Sequence, residues 1–281
     1  WTTNLNFTTL RNEVTALANN NADIFVATGG LEQPSIIRVG ESIGSFLAVR
    51  TTGINPANGQ RIFLKKDGTE VQYNHAAPAA SRWTRVSDGV AVTAPNQAVD
   101  GVIYGPAVPK FFGGFDNTFR YKGFDLNLLL YYSGGNYVYN GSKAGLHDNR
   151  NWNNAKDALD RWTKPGDVTE WPRVVFGDNV SNGSALVISS NIEKGDFLKA
   201  RNISFGYTLP QNLITRTGLG SVRVYVAALN AFTITGYSGF DPEIQSNGES
   251  VANQVSNGAP GVDRNAAPLA RTFNVGLNIG F

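Results

Sequence analysis

The sequence predicts an all-β chain whose strands build a segment of a transmembrane antiparallel β-barrel, with long loops on one side that carry a short helix and a small hairpin. Three observations predict it. Apolar and polar residues alternate with period two over runs of about ten residues, which lays one strand face against an apolar medium and the other against a polar one. Charged residues are only 16% of the 281 and there are 31 glycines, against about 25% charged and about 7% glycine in an average soluble domain. The connections are of two kinds, tight turns and stretches too long for a compact soluble domain.

The alternation is clearest at the end of the chain. Phe273, Val275, Leu277, Ile279 and Phe281 alternate with Thr272, Asn274, Gly276, Asn278 and Gly280. At the start, Trp1, Leu5 and Phe7 oppose Thr2, Asn4, Asn6 and Thr8. Residues 43–49 are a weaker strand. Phe115, Phe119 and Tyr121 share a face, with Asp116, Thr118 and Arg120 on the other. After Lys122-Gly123, Phe124, Leu126, Leu128, Leu130 and Tyr132 continue opposite Asp125 and Asn127, which makes a hairpin with a tight turn. Ile203, Phe205, Tyr207 and Leu209 alternate with small polar residues until Pro210 stops the run, and Val222, Val224 and Val226 alternate with Arg223, Tyr225 and Ala227. The long loops hold order of their own. Lys65-Lys66-Asp67-Gly68-Thr69, between two short apolar runs, reads as an Asp-Gly hairpin. Trp152, Ala155, Leu159 and Trp162 at helical spacing predict a short amphipathic helix over 151–163, ended by Lys164-Pro165-Gly166. Residues 184–190 read as a short loop strand.

A soluble sandwich also alternates, so connection lengths and strand ends weigh the choice. Phe7, Tyr121, Tyr132, Tyr207 and Phe281 put aromatic rings toward strand ends, as at the two interfaces of a membrane barrel. The short turn at Lys122-Gly123 belongs on one side and the stretches 133–195 and 236–270 on the other. With Lys122-Gly123 periplasmic, the last strand descends and leaves Phe281 at the periplasmic rim. Counting 43–49 as a wall strand then makes 11–41 a long periplasmic connection, which fits poorly.

Several chemistries are excluded or left without support. With no cysteine in the chain, disulfides, zinc-thiolate sites and cysteine nucleophiles are ruled out together. A net charge of +2 without a basic run does not suit a nucleic-acid binder that must neutralise many phosphates. No run approaches the ~18 apolar residues of a spanning helix. His75 and His147 stand alone in loop contexts, so no catalytic, cofactor or metal site is assigned. Asp157 and Asp160 read as the solvated side of the loop helix. Asp241 and Glu243 flank Pro242 and read as turn formers rather than calcium ligands, since no Asp-x-Asp-x-Asp loop is present.

A set of motifs then resembles one family. Gly113-Gly114-Phe115 followed by Tyr121-Lys122-Gly123-Phe124-Asp125-Leu126, the loop Arg161-Trp162-Thr163-Lys164-Pro165-Gly166-Asp167, the strand from Leu198 through Gly206-Tyr207-Thr208-Leu209-Pro210, the run Asn230-Ala231-Phe232-Thr233-Ile234-Thr235, and Tyr237-Ser238-Gly239-Phe240-Asp241-Pro242-Glu243 occur in order. Together with Val39-Gly40-Glu41-Ser42-Ile43-Gly44 and the closing strand, they resemble the SusC/RagA family of TonB-linked outer-membrane transporters of Bacteroidetes. Ala231 and Ala48-Val49-Arg50 depart from that pattern without touching the architecture.

The resemblance implies that the chain is the C-terminal part of a longer receptor, with about seven strands of a barrel of about 22. The plug and TonB-interacting segment would lie upstream of Trp1, in keeping with the absence of methionine. It implies active import of oligosaccharides or peptides, without enzymatic activity, with a SusD-like lipoprotein, TonB, the barrel-assembly machinery and outer-membrane lipid as partners and no nucleic acid. Asp116, Arg120 and Asp125 would line the lumen. Phe273, Val275, Leu277, Ile279 and Phe281 would form the assembly signal. Trp83, Trp152, Trp162, Trp171, Tyr137 and Tyr139 lie in loops expected outside the cell and would contact substrate or the lid lipoprotein, or pack the loops together. A passive porin or adhesin, and a soluble carbohydrate-binding β protein, are the competing readings.

Overall fold

A computed structural model describes residues 1–26, 32–243 and 260–281; the remainder of the second long loop, 244–259, lies outside the described residues. Six strands form one antiparallel sheet, here the wall: β1 (Thr2–Thr9), β2 (Phe111–Tyr121), β3 (Phe124–Gly134), β4 (Phe197–Thr208), β5 (Ser221–Thr235) and β6 (Thr272–Gly280), neighbours in that order. The β2–β3 turn holds Lys122 at φ 47° and Gly123 at φ 87°. Positive φ at both central residues matches the right-handed twist of the flanking strands, which is why glycine stands there.

Register assigns the faces. Leu5, Phe115, Leu130, Ala200 and Phe232 stand side by side on one face, and Phe119, Leu126, Phe205, Val226 and Val275 form a parallel row. The opposite face carries Asp116, Thr118, Asn127, Ser204 and Asn274. Aromatic rings gather at both margins of the apolar face. Phe7 stacks near Phe111 and Tyr132 at one end, and Phe124 packs on Phe205 and Tyr207 at the other. The 11 residues of β2 extend about 36 Å, which at a tilt of about 40° spans about 28 Å, the height of a bilayer's apolar band. Arg201 is an extra residue of β4 against β3, and β5 sets two residues, Asn230 and Ala231, against it, with Asn230 at φ 51°; asparagine is among the few side chains that tolerate that conformation.

The described residues on the far side from the Lys122-Gly123 turn fold into a second body, the loop layer. Its main sheet joins Ile24–Val26, Ser35–Ile37, Ser45–Ile54, Arg61–Leu64, Glu70–Tyr73 and Trp83–Arg85, with Gly101–Pro106 paired to Ser45–Ile54. A smaller one joins Ile192–Lys194, Tyr137–Asn140 and Val262–Asp263. Two clusters fill its core, one around Phe46, Tyr139 and Val187, the other around Val49, Phe63 and Ile188. The Asp67-Gly68 hairpin forms as the sequence predicts.

Three expectations change. Ser45–Ile54 is not a wall strand: Phe46, Leu47, Ala48 and Val49 are all buried, so both faces of the strand meet protein, whereas a wall strand shows one to lipid. With it removed from the count, β1 pairs directly with β2, Thr9 opposite Phe111. The whole stretch 10–110 therefore belongs to the loop side, and no long connection at 11–41 is needed on the turn side. The helix over 151–163 reduces to a 3₁₀ turn at Lys156–Asp160. Asn154 donates its side chain to the Leu146 and Asp148 carbonyls and Ala155 N–H donates to Leu146, so this segment spends its donors on the neighbouring loop instead of on a helix. Residues 184–190 form no strand beyond a single bridge between Val49 and Ile188, because the Ser189 hydroxyl accepts the Thr51 N–H where a ladder carbonyl would stand. Among the described residues no helix is long and apolar enough to cross a membrane.

Candidate functional site

The polar face of the wall is the first candidate. Asp116, Arg120 and Asp125 all lie on it. Asp125 accepts two hydrogen bonds from Arg223, Nε at 2.8 Å and a terminal nitrogen at 2.5 Å. Space for that guanidinium comes from Gly206, where a Cβ would collide with it, and Gly276 makes the same room for the ring of Tyr225. Asp116 accepts from Asn127 at 2.8 Å, and Asn127 in turn accepts from Asn202, so a polar ladder crosses three strands. Arg120 is exposed beside Lys122 and Arg223, in an open cleft of about 590 Å³ near the turn.

The loop aromatics are scattered rather than gathered. Tyr139 is wholly buried and donates to Glu32 at 3.0 Å. Burial pushes the Glu32 carboxyl up to about 7 and the Tyr139 phenol well above its usual range. Trp171 is buried against His147, rings 3.4 Å apart and nearly parallel. Trp83 packs on Phe63 and Tyr73, Tyr137 lies over Gly105, and Trp162 covers Gly59 while donating to the Pro56 carbonyl. Trp152 differs: it is 63% exposed at the rim of a cavity of about 330 Å³ shared with Glu32, Arg150 and Arg264.

Two groupings escaped sequence reasoning. The first surrounds Lys199, which is 2% exposed although it stands on a strand's polar face. Its ammonium donates to both Asp241 oxygens at 2.6 and 2.8 Å and to Glu243 at 2.7 Å, and Arg201 pairs with the other Glu243 oxygen. Asp241 and Glu243 are thus ion-pair anchors, and both carboxylates are occupied. The second is His147, whose ring nitrogens sit 2.8 Å from the Lys143 carbonyl and 2.9 Å from Asp157. A cavity of about 270 Å³ lies beside it, lined by Trp171, Asp157, Ser238 and Phe240. Neither His147 nor His75, bonded to the Tyr73 hydroxyl, meets a nucleophile. Among the described residues no three acidic or histidine side chains gather as metal ligands. The only sequence signal for the Lys199 grouping was a lysine in a strand and two carboxylates 42 and 44 positions away, a separation that no local pattern connects.

No protein-family model matches the chain. TonB-dependent receptor P3 of Formosa agariphila is 30% identical over 285 residues, covering all of this chain and 27% of the relative. TonB-dependent receptor SusC of Bacteroides thetaiotaomicron is 30% identical over 192 residues, covering 65% of this chain and 16% of SusC. The chain belongs to the SusC/RagA-type TonB-dependent receptors. It spans about a quarter of the length of the first of these relatives. The RagAB peptide transporter has the same fold over 99% of this chain and 27% of its own, with a TM-score of 0.71 at 22% identity. The wall of this receptor chain is therefore an outer-membrane β-barrel segment. Its relatives are receptors and transporters rather than enzymes.

Proposed function

We propose that the chain is the C-terminal part of the barrel of an active importer, which takes up an oligosaccharide or a peptide too large for porins. The observation that supports this best is the joining of two bodies in one receptor chain: a wall with a continuous polar inner face, and a folded loop layer above it. An upstream plug would occlude the lumen and meet Asp116, Arg120 and Asp125, and TonB would deliver energy to that plug. A SusD-like lipoprotein would rest on the loop layer, where Trp152 offers the most exposed indole among Trp83, Trp152, Trp162 and Trp171; Tyr137 and Tyr139 support the layer from within. The likeness to the RagAB peptide transporter favours a peptide cargo, with an oligosaccharide as the second reading. β6, closing on Phe281, would present its edge to the barrel-assembly machinery by β-augmentation.

Uptake by cells carrying the complete gene tests this reading. Labelled oligosaccharides and peptides should enter wild-type cells and fail to enter cells lacking TonB. Entry that persists without TonB would make the protein a passive porin. A folded monomer that stays soluble without detergent would make it a secreted binding protein.

A further inference from the structure

The four charges around Lys199 join two parts of the chain that differ in kind. Lys199 and Arg201 belong to the wall at its loop end. Lys199 stands opposite Tyr131 and Thr233 on the lumen face, and Arg201 is the extra residue of β4, its guanidinium over the Tyr131 ring at 5.1 Å. Asp241 and Glu243 belong to the segment 236–243, which leaves the top of β5 and folds back over that face. Two cations meet two carboxylates, all three ammonium protons of Lys199 have acceptors, and the Glu243 N–H closes on Asp241 at 3.0 Å. The cluster is neutral and complete, the condition under which buried charges are tolerated; loss of one partner strands another in low dielectric.

The same segment forms one side of the cavity beside Trp171. Ser238, Gly239 and Phe240 line it, facing Lys143, His147 and Asp157. The segment's other attachment is also polar, Ser238 donating twice to Glu193 at 2.8 Å and Tyr237 donating to Asp263 at 2.6 Å. Tyr237 and Pro242 are buried at either end, but Phe240 between them is 76% exposed. A loop anchored by buried apolar side chains opens only by exposing them to water; one anchored chiefly by balanced charges opens when those charges are given up to another partner.

We propose that 236–243 is a latched flap on the lumen face: Lys199 and Arg201 grip Asp241 and Glu243, hold the flap over the cavity beside Trp171, and control access to it. The inference rests on the geometry of this chain and stands whether the cargo is a glycan, a peptide or neither.

The test uses the full-length receptor in detergent, with heat-modifiable migration as the check on barrel folding. Hydrogen exchange over 236–243 should rise about tenfold or more in Asp241→Asn/Glu243→Gln, while β4 and β5 keep their protection. The charge-exchanged pair Lys199→Glu/Asp241→Lys should recover part of it. The chain has no cysteine, so Ala155→Cys, on the cavity lining, reports access: its reaction with a maleimide should quicken about tenfold when the latch variants are added. Glu243→Gln alone, at a half-buried carboxylate, should give an intermediate response and carries the test if the double variant does not form a barrel. Unchanged exchange over 236–243, a rise shared equally by the whole loop layer, or unchanged labelling of the Ala155→Cys variant would overturn the latch.

Discussion

The wall and the loop layer are built from the same kinds of residue and hold together by different means. In the loop layer Phe46, Phe63, Val71 and Ile188 are wholly buried, as in a soluble protein core. In the wall, Phe273 and Val275 are 74% and 81% exposed, and their burial comes from lipid. The lesson is that an apolar residue here is committed to one of two solvents, protein or hydrocarbon, and its neighbours along the chain reveal which. Alternation marks most of the wall, with the run Leu128-Leu129-Leu130-Tyr131-Tyr132 in β3 as its exception, and the fully buried run Phe46-Leu47-Ala48-Val49 belongs to the layer.

Substitutions separate the two bodies. The largest effect is expected from Phe46→Ala, which opens a cavity in the layer and costs about 3–5 kcal/mol there. Hydrogen exchange should show the layer loosened while the barrel still migrates as a folded species. Val275→Arg, mid-strand on the lipid face, costs about 2–4 kcal/mol by placing a charge in hydrocarbon. It should cut the yield of heat-modifiable barrel and leave the protection of residual loop-layer peptides unchanged.

A pH titration sharpens the comparison further. The Glu32 carboxyl is raised to about 7 by burial, so the folded layer favours its protonated form. Its contribution is full below about pH 4.5 and is lost as pH rises through about 7, a change of about 3 kcal/mol. Loop-layer protection should fall across that window, wall protection should not, and Glu32→Gln should abolish the difference. The smallest effect belongs to Gly206→Ala. The new methyl meets the end of a flexible guanidinium, so a loss of about 1 kcal/mol is expected, read as a small drop in the barrel's melting temperature that Arg223→Ala removes.

The wall was legible because its information is local. Leu126, Leu128 and Leu130 against Asp125 and Asn127 state the faces within one strand, and Lys122-Gly123 states the turn. The loop layer was not, because strands as short as Ser35–Ile37 and Val262–Asp263 show no period, and a strand buried on both faces resembles any apolar run. Misassigning 43–49 then propagated into the direction of β1. Part of the polar face was legible: the sharing of one face by Asp116, Arg120 and Asp125 follows from alternation, whereas the Arg223 partner of Asp125 and the Lys199 cluster arise from register and from a loop folding back. Trp152 and Tyr139 shared one expectation, and only tertiary packing separates the exposed indole from the buried phenol.

The central claim is that the wall divides lipid from lumen along each strand. Single cysteines replacing Leu126, Asn127, Leu128 and Leu129 in β3 of the full-length receptor, reconstituted in lipid, test it most directly. Positions 127 and 129 should react with a water-soluble thiol reagent, and 126 and 128, carrying a fluorophore, should be quenched by brominated lipid. Uniform labelling at all four positions, or the opposite alternation, would contradict it.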